Sequence, residues 1–381
     1  MNFSISEQQR ELQKSIISFA QKELNKDLVL RDREGKFPQE LWRKCAKMNL
    51  MALPFPEAYA GCGMDFLTTV LSVEALAYAC KDSGLVHAII VQLTMGILLN
   101  LFGNEEQKRK YLVPICRGEK ITAQASTEAD AGSDIFSVRT RARKKNESYI
   151  IDGSKMFISN GPVADFVILL ALTNPERKML GSHSFFIVEK ECNGFTRSKP
   201  VEKMGLRTLE NCELIFEECF IPQGNLIGRE GQGSIIFNEI MEWERILFGA
   251  CHVGTMMRIS ETTIRYAKER KQFGQPIGKF QTVANKIARM KINQELAKLM
   301  VYKAAFLKDN KTRASLESSI TKVFASESLK NTCLDAVQIH GAYGYMIEFE
   351  IERDLRDSIA SSIYSGTAEI NTLIIAGLLG L

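Results

Sequence analysis

The hydrophobic period of this chain changes twice, and that double switch restricts the fold more than any single motif. Through roughly the first 118 residues apolar positions recur at helical spacing, punctuated at Pro54, Pro56 and the Gly61-Cys62-Gly63 turn. Ser6-x-x-Gln9 and Asn104-x-x-Gln107 read as capping boxes that start helices. From about 120 to 225 the texture becomes short β-rich runs, "SVRTRARKK", "SYIIDGSKMFIS", "DFVILLALT", "HSFFIVEK" and "CELIFEECFIP", parted by Asn, Gly and Pro signals. After Gly231-Gln232-Gly233 long helical patterns return at roughly 235–268, 280–309, 313–340 and 367–379. A stretch patterned for one period does not settle as the other. The expectation is an α+β protein of three units: an all-helical domain over 1–118, a small β-barrel over 119–228 and a four-helix bundle over 229–381, whose interior faces are open to a ligand.

At 381 residues the chain is long enough for several cores, and 45% hydrophobic with 25% charged residues is ordinary for a water-soluble protein. No apolar run is read as approaching the ~20 residues of a spanning helix. Polar and acidic residues within the N-terminal apolar pattern argue against a signal peptide, so a cytoplasmic protein without membrane contact is expected. Nine cysteines are scattered singly, with no Cys-x-x-Cys, and the four histidines lie far apart. Buried thiols are expected, and neither a disulfide framework nor a metal site. The net charge of +4 is mild, and the basic runs at 139–145 and 265–272 read as solvated surface, so no nucleic-acid partner is expected.

Three stretches could carry chemistry. "STEADAGSD" (126–134) offers hydroxyls and turn amides to a planar, hydrogen-bonding ring with a phosphate-bearing tail, or is a surface turn. "KMFISNG" (155–161) puts Phe157 two residues before Ser159 on a strand, where an isolated aromatic is more often core. In "FNEIMEWERILFGACHVG" (237–254), Phe237, Met241, Glu244, Phe248 and Cys251 share a helix face. A carboxylate inside that apolar stripe must be paired, protonated or functional. An ion pair with Arg245 or a distant arginine is the competing reading.

"TEADAGSD", "GSKMFISNG", "RKQFGQPIGKFQ" (270–281), "QIHGAYGY" (338–345) and "RDLRDSIASSIYSGTAEI" (353–370) occur in the order and spacing of the acyl-CoA dehydrogenase superfamily, which the chain resembles along its whole length. The resemblance implies the acyl-CoA dehydrogenase fold and bound FAD. It places Gln124, Ala125, Ser126, Thr127, Gly132 and Ser133 on the flavin-contacting strand and turn, with Phe157, Ile158 and Ser159 beside the ring system. Arg270, Gln272 and Phe273, with Gln281 after them, match the motif that reaches a neighbouring subunit's FAD. Gln338, Gly341 and Ala342 match the pyrophosphate loop, and Thr367 with Glu369 the adenosine end. A site shared between subunits implies a homo-oligomer, usually a tetramer. The chain departs from the usual pattern at Ala129, Asp130, Gln124 and Ala342, which weakens individual contacts rather than the resemblance.

Most of the superfamily carries its catalytic glutamate directly before the Gly-Thr of the last motif, where this chain has Ser365. One branch instead uses a glutamate on the preceding long helix, just before an arginine, and "WER" (243–245) matches it. The resemblance therefore implies Glu244 as general base, with Ser133, Arg245 and Ser365 beside the substrate. Such a base takes the α-proton of an acyl thioester while hydride leaves the β-carbon for the flavin. "MEWERILFGA" and "LRDSIASSIYSGTAEI" look closest to enzymes that oxidise prolyl groups tethered to peptidyl carrier proteins, those of anatoxin-type pathways among them. The implied partners are a carrier protein and, as electron acceptor, oxygen or an electron-transfer flavoprotein. The alternatives are a short- or branched-chain acyl-CoA dehydrogenase and a non-catalytic, DNA-binding flavoprotein, whose basic C-terminal extension has no counterpart in a chain that stops at Leu381.

Overall fold

The computed structural model describes residues 5–177 and 179–381. Helix α1 (Glu7–Glu23) begins at the expected box: Ser6 Oγ accepts from the Gln9 amide, and the Gln9 side chain accepts from the Ser6 amide. Asn104 and Gln107 form the second reciprocal box. Between them, α2 (Phe66–Ala79) and α3 (Ser83–Phe102) are capped by Asp65 and Asp82. Here one expectation is corrected, because α3 is a 20-residue helix long and apolar enough to cross a membrane. In this protein 78% of its apolar window is buried inside the fold, where α3 forms the spine of the first domain. Its single His and polar Gln, Thr and Asn residues had hidden the length of the run.

The β runs become β1 (Thr122–Ala125), β2 (Arg141–Lys145), β3 (Ser148–Ser159), β4 (Phe166–Leu172), β5 (His183–Glu189), β6 (Phe195–Arg197), β7 (Asn211–Pro222) and β8 (Leu226–Ile227). They form one eight-stranded sheet in the order β6-β7-β3-β2-β4-β5-β8, with β1 parallel to β4. Side chains from β1 to β7 meet in one interior cluster, so the sheet curls around a barrel-like core. Val167, Leu169 and Ala171 of β4 face that interior, whereas Phe166, Ile168 and Leu170 join the helical core. Burial on both faces explains why β4 reads as an unbroken apolar run instead of alternating.

The C-terminal bundle is α4 (Gly233–Glu269), α5 (Gln281–Asp309), α6 (Ser315–His340) and α8 (Ala368–Leu378), with the short α7 (Ile351–Ile359) before the last. At 37 residues α4 is about 55 Å long. It packs on α2 and α3 of the first domain as well as on α5 and α6. The segment 360–367 crosses from α7 to α8 beside α4 and α6, which brings the last sequence motif against the first half of the long helix.

Candidate active site

Glu244 lies on α4 with Met241, Phe248 and Cys251 buried around it and Phe237 partly buried. Only 9% of Glu244 is exposed, in keeping with its place in the apolar stripe. The competing ion pair is not what forms. Among the described residues the Glu244 carboxylate takes its hydrogen bond from the Ser365 hydroxyl, across 121 positions of sequence. Arg245 turns the other way, donating from Nε to the Ser365 carbonyl (3.2 Å) and from Nη1 to Ser319 Oγ (3.4 Å). Burial pushes the Glu244 carboxyl up from the ordinary carboxylate range, and the Ser365 hydroxyl, Arg245 and Lys322 pull it back only in part. The position vacated by the usual glutamate thus holds a donor aimed at the carboxylate that replaces it.

Ser365 and Gly366 have φ of +57° and +81°. Two successive left-handed residues turn the chain sharply, and the strain in Ser365 is of the order of 1–3 kcal/mol. Asn371, fully buried on α8, donates to the carbonyls of Gly366 (2.8 Å) and Thr367 (3.0 Å) and so fixes the turn. Thr367 accepts from the Ile370 amide as N-cap of α8, and Glu369 is exposed in the first turn, its carboxyl held below the ordinary value by its own backbone amide and by the Thr367 hydroxyl.

The residues assigned to FAD by resemblance fall on separate patches. The first joins the end of β1, the turn 126–134 and the end of β3: Gln124 Nε2 is 3.4 Å from Ser126 Oγ, and the Met156 amide donates to the Thr127 carbonyl. Gly132 and Ser133 are exposed there. Phe157 departs from the core reading. A register shift between Lys155 and Ile158 against β7 breaks the alternation, Phe157 takes φ +62°, and its ring is 62% exposed. Asn211 holds this bulge by donating to Phe157 O and Ser159 Oγ. Ala125 and Ile158, in contrast, turn their side chains into the barrel interior, so only their backbone faces outward.

The second patch joins the hairpin Lys271–Gln272 and Gln275–Pro276 to the loop after α6. The loop residues Phe273 and Gly274 are both at positive φ, and Phe273 is 94% exposed. The Arg270 guanidinium lies 5.8 Å from the centroid of the Tyr343 ring. Gln272, Gln281, Gln338 and Ala342 are exposed. Gly341, at φ +62° and ψ −135°, has open space where a Cβ would stand. Among the described residues no hydrogen bond, ion pair or ring contact links this patch to the first.

Two residues inside the quoted motifs had not been singled out. Lys155, fully buried, donates to Ser126 O (2.9 Å) and Glu128 Oε1 (2.8 Å). Glu128 in turn accepts from the Arg139 and Thr140 amides. A lysine on the face of β3 that packs inward was the available signal.

This arrangement, a buried carboxylate facing a turn that lacks the usual one, occurs in a chain whose relatives are recognisable throughout. Descriptions of the N-terminal, middle and C-terminal domains of acyl-CoA dehydrogenase match residues 6–119, 123–219 and 231–379. A probable acyl-CoA dehydrogenase, YngJ of Bacillus subtilis, is 38% identical over 99% of both chains. Among solved structures, the prolyl acyl carrier protein oxidase AnaB superposes with a TM-score of 0.98 at 45% identity, covering 99% of this chain and 100% of its own. PigA with FAD and proline superposes at 0.97 with 37% identity, covering 100% of both chains. With all three domains matched in order and the identity holding over the full length, the chain belongs to the acyl-CoA dehydrogenase family.

Proposed function

We propose that this protein is an FAD-dependent dehydrogenase or oxidase of an L-prolyl thioester carried on an acyl or peptidyl carrier protein, with Glu244 as the general base. The observation that carries the reading is the buried Glu244 carboxylate, hydrogen-bonded by Ser365 at the very position where most of the family keeps its base. Likeness to AnaB and to PigA with FAD and proline supports the prolyl substrate and the cofactor.

The residues present fit FAD. An exposed aromatic held in a strained bulge at Phe157, the Gly341 backbone with no side chain over it, and the uncovered Arg270 and Phe273 are surfaces the isolated chain leaves open. Gln124, Ser126, Thr127, Gly132, Ser133 and Ser159, with the backbones of Ala125 and Ile158, would hold the ring system. Arg270, Gln272, Phe273, Gln281, Gln338, Gly341 and Ala342 would serve the FAD of a second subunit, which explains why the two patches share no contact. Thr367 and Glu369 lie toward the adenosine end. A homotetramer, the family's usual assembly, provides the pairing. Arg270→Glu should then lower flavin occupancy of the purified protein by repelling the pyrophosphate, read from the ratio of flavin to protein absorbance. Full occupancy in a stable monomer would contradict the shared site.

Bound there, FAD supplies the two-electron acceptor for the hydride that leaves the β-carbon. The protein's own part is to take the α-proton. A carboxylate raised by burial has more of the basicity that a weakly acidic thioester α-proton demands. Arg245, Ser133 and Ser365 would stand beside the substrate, as the family resemblance implies. Loss of one proton and one hydride converts the prolyl to a pyrroline-carboxyl thioester. The final electron acceptor would be oxygen or an electron-transfer flavoprotein, told apart by the aerobic turnover rate with and without the latter.

The test is mass spectrometry of a matched panel: carrier-bound L-prolyl, L-prolyl-CoA and butyryl-CoA thioesters incubated with purified enzyme. Carrier-bound prolyl should lose two hydrogens fastest. Faster turnover of butyryl-CoA would replace this reading with that of a short- or branched-chain acyl-CoA dehydrogenase; the likeness to YngJ favours an acyl-CoA dehydrogenase without naming a chain length.

A further inference from the structure

A hydrogen-bonded chain of side chains lies directly behind the Glu244 site. The Tyr364 hydroxyl is 2.9 Å from His87 Nε2 and 2.7 Å from His252 Nε2. The other ring nitrogen of His87, Nδ1, lies 2.7 Å from the Ser83 carbonyl, which can only accept. Nδ1 therefore carries the proton and Nε2 is the bare acceptor. Tyr364 donates to His87, and its oxygen is left to accept from Nε2–H of His252. That fixes the second tautomer too: His252 Nδ1 is a lone pair, buried without a partner among the described residues. Both imidazoles are held neutral by burial, which pushes His87 down to about 4 and His252 well below its ordinary value.

The rest of the tyrosine is gripped as well. Its ring lies 4.6 Å, centroid to centroid, from Phe248, one helical turn beyond Glu244. The Lys322 ammonium of α6 sits 5.0 Å from the ring centroid and donates to the Ser361 carbonyl. Tyr364 thus ties together α3, α4, α6 and the segment that carries Ser365. The residue after it is the left-handed serine, whose conformation is costly and persists only where the surroundings impose it. Asn371 and Arg245 hold that turn through its carbonyls, and Tyr364 anchors the residue that enters it.

We propose that Tyr364 is a positioning residue for the base: clamped between His87 and His252, it keeps Ser365 in the left-handed conformation that aims its hydroxyl at Glu244. The inference rests on the reading of Glu244 as base. The groups that act on that carboxylate are the Ser365 hydroxyl of the crossing segment, which donates to it, and the charges of Arg245 on α4 and Lys322 on α6, with the neutral His87 and His252 bound to Tyr364 behind. Of these the Ser365 hydroxyl touches the carboxylate, and donation to the ionised form lowers its proton affinity. Loosening Tyr364 should therefore raise the proton affinity of Glu244.

The experiment is an infrared titration of the flavin-loaded protein grown on carbon-13 glutamate, with the Glu244→Gln spectrum subtracted to isolate the Glu244 carboxyl band. Tyr364→Phe keeps the ring and removes the hydroxyl, and should raise the Glu244 midpoint by about one pH unit, the size of one charge-assisted hydrogen bond. Ser365→Ala should raise it by the same amount, and the double variant should add nothing further, because one interaction is removed by either route. His252→Leu should reproduce the shift, while His252→Gln, which retains an N–H for Tyr364, should restore the wild-type midpoint. Should Tyr364→Phe fail to fold, the two His252 variants decide alone. Additive shifts, an unmoved midpoint in Tyr364→Phe, or equal midpoints in the two His252 variants overturn the proposal. The titration uses no substrate, so a Glu244 that proves not to be the base is a separate result, read from the kinetics of Glu244→Gln.

Discussion

Glu244→Gln should keep its flavin and lose substrate-driven flavin reduction by about 10²–10⁴-fold in anaerobic single-turnover experiments, the range for removal of a general base. The substitution preserves shape and lets the Ser365 hydroxyl keep an acceptor, so the local packing of Met241, Phe248 and Cys251 has no reason to change. What disappears is the ability to bind the α-proton. The pH dependence follows with a definite sign. The base acts in its ionised form, and burial raises its proton affinity. The wild-type rate should accordingly rise with pH through a midpoint above the ordinary carboxylate range, and that limb should vanish in Glu244→Gln. Reduction of the variant at the wild-type rate would make the glutamate structural and send the search for a base elsewhere.

Much of this architecture is legible before any coordinates, because it is written in local patterns. The two period switches, both capping boxes and the long C-terminal helices all depend on neighbours a few residues apart. Glu244 was legible for the same reason, as a carboxylate out of place on an apolar helix face. The features that escaped depend on partners far along the chain. The Ser365–Glu244 bond spans 121 residues, and that between Tyr364 and His87 spans 277. Nothing in the periodicity of either segment encodes the meeting. The exposure of Phe157 escapes the alternation for a subtler reason: a bulge inserts one residue into the strand, and every inference from alternation beyond it changes face. The length of α3 escapes because scattered polar residues interrupt its apolar run, although Gln92 and His87 are buried with hydrogen-bonded partners.

The largest effect on stability is expected at a pair that net charge does not single out and of which strand alternation flags only the lysine, Lys155 and Glu128. The lysine ammonium is fully buried and pushed down to about 8 by that burial; its two acceptors are Ser126 O and the Glu128 carboxylate. Burial would raise Glu128, but Lys155 and the amides of Arg139 and Thr140 outweigh it and hold the carboxyl below its ordinary value. The pair thereby clamps both ends of the turn 126–140 to β3, and that turn carries Ser126, Thr127, Gly132 and Ser133 of the proposed flavin surface. The two halves are unequal. Glu128→Leu strands an ammonium in the interior with one carbonyl and leaves two backbone amides without their acceptor, a loss of about 3–5 kcal/mol. Lys155→Met removes the buried charge itself and leaves a carboxylate that still accepts two amides and is 11% exposed, a loss closer to about 1–3 kcal/mol. Denaturant midpoints should therefore fall in the order wild type, Lys155→Met, Glu128→Leu, and flavin occupancy should fall in the same order as the turn loosens. A reversed order, or full occupancy in Glu128→Leu, would show that the turn is held by something other than this pair.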